Sequence, residues 1–90
     1  MPSHTPAFKF DPEQFLTATD GLTNGQVGSL MRLLVHQWIN GDVPANPSKA
    51  AKLCHGNSAD ADKALESFSP SGNGRCRNMA LEAVRNQRNA

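Results

Sequence analysis

The stretch Leu22–Pro47, LTNGQVGSLMRLLVHQWINGDVPANP, constrains the fold more than any other part of the chain. Thr23 and Gln26 have capping-box spacing, in which the hydroxyl accepts from the N3 amide and the Gln side chain returns to the N-cap amide. Leu22 stands where a hydrophobic staple to Val27 would close the entry. Val27, Leu30, Met31, Leu34, Val35 and Trp38 then recur at three- and four-residue steps, which predicts one apolar helical face. Asn40-Gly41 supplies a residue able to take the left-handed conformation that ends helices. Asn46-Pro47 starts a second helix, with a capping side chain followed by proline at the position where its missing amide costs nothing.

The same start signal occurs earlier. Asp11-Pro12-Glu13-Gln14 predicts a short helix carrying Phe15 and Leu16 and ending by Asp20-Gly21. Before it, Phe8 and Phe10 flank Lys9, as in a short strand or an extended anchor, and residues 1–6 are expected to be disordered. After Pro47, residues 48–55 form a short helix with Ala50, Ala51, Leu53 and Cys54 as its less polar positions. Gly56-Asn57-Ser58 closes it, with Ser58 as a candidate cap for the next helix. Asp60 and Asp62 suit that helix's first turn, and Ala61, Ala64, Leu65 and Phe68 follow the 3.6-residue period. Two short helices joined by a glycine turn are the skeleton of a helix-turn-helix.

Ser69-Pro70-Ser71-Gly72-Asn73-Gly74 stops any helix, and Arg75-Cys76-Arg77 alternates as a half-buried strand does. This loop and strand have the form of a wing. The partner strand is sought in Phe68-Ser69 or in the Phe8–Phe10 segment. Asn78 can cap a last helix with Met79, Ala80, Ala83 and Val84 inward and Glu82, Arg85 and Arg88 outward. The expected architecture is mainly α: a winged helix-turn-helix-like domain over residues 1–90, with four to five helices and a small β wing.

Ninety residues with 38% hydrophobic content make one small core. The formal net charge is +1, which is not that of a strongly basic nucleic-acid binder. Residues 1–45 hold two Lys/Arg and four Asp/Glu, against seven and four in residues 46–90, so the mild basic excess lies in the second half. No run approaches the roughly 18 apolar residues a membrane span needs. The opening MPSHTPAFKF has no signal-peptide pattern. A cytoplasmic protein is therefore expected, and Cys54 and Cys76 are expected to be buried, reduced thiols.

The order of these parts resembles the YdaU-like family, short domains of unknown function from phage and prophage proteins, often near replication genes. The resemblance rests on Phe8-Lys9-Phe10-Asp11 and Phe15-Leu16, then Leu22-Thr23, Leu33-Leu34 and Gln37-Trp38. Gly41, Val43-Pro44, Ala50 through Gly56, Leu65 through Phe68 and Arg75-Cys76-Arg77-Asn78 continue it, over roughly residues 7–85. It implies a likeness to the winged-helix domains at the N-termini of phage replication initiators, with no catalytic motif to carry over.

Four classes of chemistry compete for these residues. For duplex DNA, Lys63, Arg75 and Arg77 are candidate phosphate contacts, with Lys49 and Lys52 flanking and Asn73 at the wing tip facing a minor groove. Asp60 and Asp62 oppose that docking, and a solvated charged helix explains the same pattern. For metals, His36, Cys54, His55 and Cys76 lack ligand spacing, and adjacent residues 54 and 55 diverge by about 100° on a helix. For catalysis, the carboxylate pairs Asp11/Glu13 and Asp60/Asp62 are accounted for as helix starts, and no nucleophile or phosphate-loop fingerprint occurs. No enzyme activity, cofactor or small-molecule substrate is expected. The remaining class is a protein-interaction module that docks, recruits or inhibits a host or phage protein, in replication or anti-phage defence.

Overall fold

The computed structural model describes residues 11–88, and of residues 85–88 the helical backbone. The Phe8–Phe10 reading and the expected disorder of residues 1–6 lie outside the described residues. Five helices and a three-stranded sheet follow in the order α1 (Pro12–Ala18), α2 (Asn24–Asn40), β1 (Val43–Pro44), α3 (Pro47–Cys54), α4 (Ser58–Leu65), β2 (Ser69–Gly72), β3 (Arg75–Arg77) and α5 (Met79–Arg88). The protein is mainly helical with a small antiparallel sheet, a winged-helix-like fold.

The capping grammar of the sequence is realised almost unit by unit. Asp11 accepts from the Gln14 amide, and Pro12 begins α1. Both halves of the Thr23/Gln26 capping box are formed, at 3.2 and 3.0 Å. Gly41 ends α2 at φ 97°, a left-handed conformation that glycine adopts without penalty. Asn46 accepts from the amides of Ser48 and Lys49 ahead of α3. Between α3 and α4 the structure departs from expectation. The cap of α4 is Asn57, which accepts from the Asp60 amide at 2.8 Å, and Ser58 is the first helical residue.

The buried stripe of α2 is Ser29, Leu30, Leu33, Gln37 and Trp38, turned from the expected one, while Val35 and Ile39 are exposed. The physical reason is that two of the buried positions are polar. Ser29 and Gln37 face inward because they have partners there, and a pattern built on hydrophobicity cannot count them. Leu33, Val43, Ala50, Ala61 and Ala64 form the centre of the core, with Leu30, Ala51, Cys54 and Cys76. Leu22, Leu34, Leu65 and Phe68 pack partly buried against it. Alanines on α3 and α4 let these short helices approach each other and α2 closely.

Helix α4 stops at Leu65, short of Phe68. The Ser67 hydroxyl donates to the Ala64 carbonyl, a local bond that competes with helix continuation. Ser69 also precedes a proline, which disfavours the helical conformation. Phe68 therefore reaches the core from a turn. The sheet order is β1-β3-β2, both pairings antiparallel. The wing's partner strand is β2, beginning at Ser69, and a second partner not expected from the sequence is Val43–Pro44. Two residues, one of them proline, give too short a run to read as a strand.

Helix α5 is also rotated from expectation. Among its described side chains Leu81 is buried, Met79, Ala80 and Ala83 are exposed, and Val84 is half-buried. Gln37, fully buried on α2, sets this rotation. Its Nε2 donates to the Asn78 carbonyl at 3.0 Å and to Glu82 Oε2 at 2.8 Å, and the Asn78 amide donates to its Oε1. Glu82, expected outward, is thereby drawn onto α2. Asn78 caps α5 as anticipated, accepting from the Leu81 amide at 3.0 Å.

Candidate nucleic-acid interface

A winged helix meets nucleic acid, where it does so, through its second short helix, the helix before it and the wing. The six residues singled out from the sequence fall on those three elements. Lys49 and Lys52 lie one turn apart on α3, both exposed, opposite the buried Ala50, Ala51 and Cys54. The Asn46 side chain fixes the start of this helix by binding the Lys49 amide.

On α4 the electrostatics are different. Lys63 Nζ lies 3.1 Å from Glu66 Oε1, an exposed i,i+3 pair. Asp62 is exposed on the same helix. Asp60 is only half-exposed: its carboxylate accepts from Asn57 Nδ2 at 3.3 Å and lies against Gly25 in the first turn of α2. It therefore serves two helix starts, where a negative charge is favoured. The open face of α4 carries Ser58, Ala59, Asp62, Lys63 and Glu66, which leaves it without a positive excess.

The wing is built by its turn. Asn73 at φ 54° and Gly74 at φ 75° both occupy the left-handed region, the two-residue pattern whose twist matches antiparallel strands. Asn tolerates that region better than most side chains, which explains Asn-Gly at the tip. Asn73 is exposed there. The Ala45 amide donates to the Gly74 carbonyl at 2.8 Å, extending the β1 pairing to the turn.

Arg75 and Arg77 sit on one face of β3, with buried Cys76 on the other. Their environments diverge. Arg75 Nε and one terminal nitrogen each lie 2.9 Å from Asp42 Oδ1, and the terminal nitrogen also reaches the Asp42 carbonyl at 3.4 Å. Arg77 has no carboxylate partner among the described residues, and its buried Nε has no acceptor there. Helix α3 packs on the sheet mainly at β1. Asp42 and Gln37 are the residues missed from the sequence. Their partners lie 33 to 45 positions away, and no local spacing signals such pairs.

Both cysteines are buried free thiols. Desolvation raises the Cys54 pKa above the ordinary value of 9.0, opposed by a hydrogen bond with the Ser29 side chain and by Arg32; the thiol also donates to the Ser29 carbonyl at 3.4 Å. Cys76 is raised by the same cause, with Arg75 opposing. Among the described residues, no group of three or more His, Cys, Asp or Glu is placed to hold a metal ion. No helix there is long and apolar enough to cross a membrane. An apolar cleft of about 150 Å³ opens between α1, α2 and α5, lined by Phe15, Leu30, Met31, Leu34, Leu81 and Val84 among others. It shares no residue with the six candidates. Compared with protein-family models, curated proteins and solved structures, the chain matches none.

Proposed function

We propose that this domain is a non-enzymatic, cytoplasmic phage or prophage module that binds duplex nucleic acid, in association with replication. The observation that carries the reading is the α3–α4 pair joined to a wing, with Lys49, Lys52 and Asn73 all exposed on it. Binding is through the phosphate backbone. The face of α4 that would enter a major groove offers Asp62 and a Lys63 already paired with Glu66, so base reading from that helix is not supported. The phage assignment rests on the family resemblance of the sequence.

The test is affinity for a labelled random duplex across a salt series. Each phosphate contact contributes about 0.9 to the slope of log affinity against log salt. Lys49→Ala and Lys52→Ala are each expected to flatten it by about that amount and to weaken binding evenly across sequences. No binding at about 50 mM salt, where non-specific contacts are strong, would rule the reading out.

A second reading, docking to a host or phage protein, is favoured by the open face of α4 and by exposed Leu16, Val35, Ile39 and Met79. A stoichiometric complex that survives nuclease treatment would support it over the first.

A further inference from the structure

We propose that the two wing arginines have different jobs: Arg75 is a positioning residue, locked by Asp42, and Arg77 is the wing's contact for an anionic phosphate oxygen. The inference rests on the nucleic-acid reading and adds a division of labour within the wing.

The geometry around Arg75 is that of a fastening. Asp42 follows the left-handed Gly41 that ends α2 and precedes β1, so it sits at the corner where the helical core turns into the sheet. Two guanidinium nitrogens at 2.9 Å from one carboxylate oxygen, plus the contact to the Asp42 carbonyl, tie β3 to that corner. Directly beside it, Pro44 pairs with Arg75, and the Ala45 amide holds the Gly74 carbonyl. All three contacts fall at the base of the Asn73-Gly74 turn. They set the direction in which the wing tip projects. A guanidinium so engaged has its charge matched by a carboxylate and is a poor site for a second anion.

Arg77 is two residues along the same strand face, paired with Ser69 of β2. No carboxylate neutralises it among the described residues. The two buried side-chain polar atoms without a hydrogen-bond partner there, Arg77 Nε and Ser71 Oγ, both lie on the wing hairpin. Arg77 is only half-buried. With no carboxylate beside it among the described residues, its charge is left for an acceptor from outside the chain, met by the part of the guanidinium other than the buried Nε. A phosphate oxygen is an acceptor of the right charge for a guanidinium.

Duplex affinity, its salt slope and thermal stability, measured on the full chain, separate the two roles. Arg77→Ala is expected to weaken binding and flatten the salt slope by about 0.9, with its melting temperature close to wild type. Arg77→Lys should recover most of the slope, because the charge returns. Arg75→Ala should lower the melting temperature and leave the slope unchanged, and Asp42→Asn should lower the melting temperature as well. The double substitution should cost little more than either single one, since both remove the same interaction. The charge swap Asp42→Arg with Arg75→Asp should restore the melting temperature, since the pair re-forms with its charges exchanged. If wild type binds duplex and Arg77→Ala binds equally well with an unchanged slope, the division of labour is wrong and the nucleic-acid reading stands. If wild type binds none, that reading falls and the Arg77 role with it, while the melting temperatures still decide whether Asp42 fastens Arg75.

Discussion

Helices α2, α3 and α4 are joined by apolar contact, whereas the contacts of α5 with α2 include, among the described residues, a set of hydrogen bonds to one buried polar side chain. In the first region Leu33, Ala50, Ala61 and Ala64 are essentially inaccessible, and the helices meet along alanine faces. In the second, Leu81 is buried, and the Gln37 side chain makes three hydrogen bonds with Asn78 and Glu82. Apolar contact is non-directional and scales with area, so it gives the core its stability. Hydrogen bonds are directional and contribute little net energy each, so they give α5 its rotation. Stability and orientation are thus drawn from different parts of one helix, α2.

The sharpest way to break that contrast is to empty the apolar side. Leu33 is fully buried, and Leu33→Ala is expected to cost about 2–5 kcal/mol through lost transfer energy and a residual cavity. Leu34, only partly buried at the edge of the cleft, should cost clearly less on the same change. Equal losses at the two positions in urea denaturation would mean that the buried stripe of α2 is assigned to the wrong face.

The polar side is tested by Gln37→Leu. The shape is roughly kept, but the Asn78 amide and carbonyl lose their partners, at about 1–3 kcal/mol for buried groups left unsatisfied. The loss should be local. Hydrogen exchange is expected to quicken in α5 while α2, α3 and α4 keep their protection. Uniform acceleration through all four helices would show that α5 and the core open as one unit.

How much of this was legible in the sequence follows the same division. The capping box at Thr23 and Gln26, the proline starts at Pro12 and Pro47 and the Gly41 stop are local signals, and each is found where the sequence puts it. The wing turn at Asn73-Gly74 is equally local. What escaped were features set by distant partners. The rotation of α2 and α5 depends on Gln37, a polar residue at a core position. The strand at Val43–Pro44 exists only because Cys76 and Arg75 lie beside it. At the candidate interface, residue types and elements could be read from spacing, but the neutralisation of Arg75 by Asp42 needed the tertiary fold.

The buried thiols give a smaller effect, confined to the core side of the comparison. Both have folded pKa values above 9.0, the ordinary value, through desolvation. Above that pH the unfolded chain loses thiol protons that the folded chain retains, so unfolding becomes more favourable as pH rises. Their contribution is complete below 9.0 and is lost as pH climbs toward the raised values. Urea midpoints between about pH 8 and 10 should fall for wild type, and less steeply for Cys54→Ala. In native protein both thiols should react slowly with a thiol reagent until denaturant is added. Rapid labelling would place them at the surface.

The smallest expected effect is a gain. Gly28 lies inside α2 with open space where a Cβ would go, so Gly28→Ala is expected to stabilise the protein by about 0.5–1 kcal/mol through helix propensity alone. Gly25 lies one turn earlier on the same helix, but a Cβ there would press on the Asp60 carboxylate, which Asn57 Nδ2 holds from the other side. Gly25→Ala should therefore yield less than Gly28→Ala, or a net loss. The comparison of regions makes a further demand on Gly28→Ala. If α5 opens independently of the core, a stabilised α2 should raise the urea midpoint while exchange in α5 stays at its wild-type rate. Slower exchange in α5 by the full global increment would mean that its polar attachment releases only when the core itself unfolds.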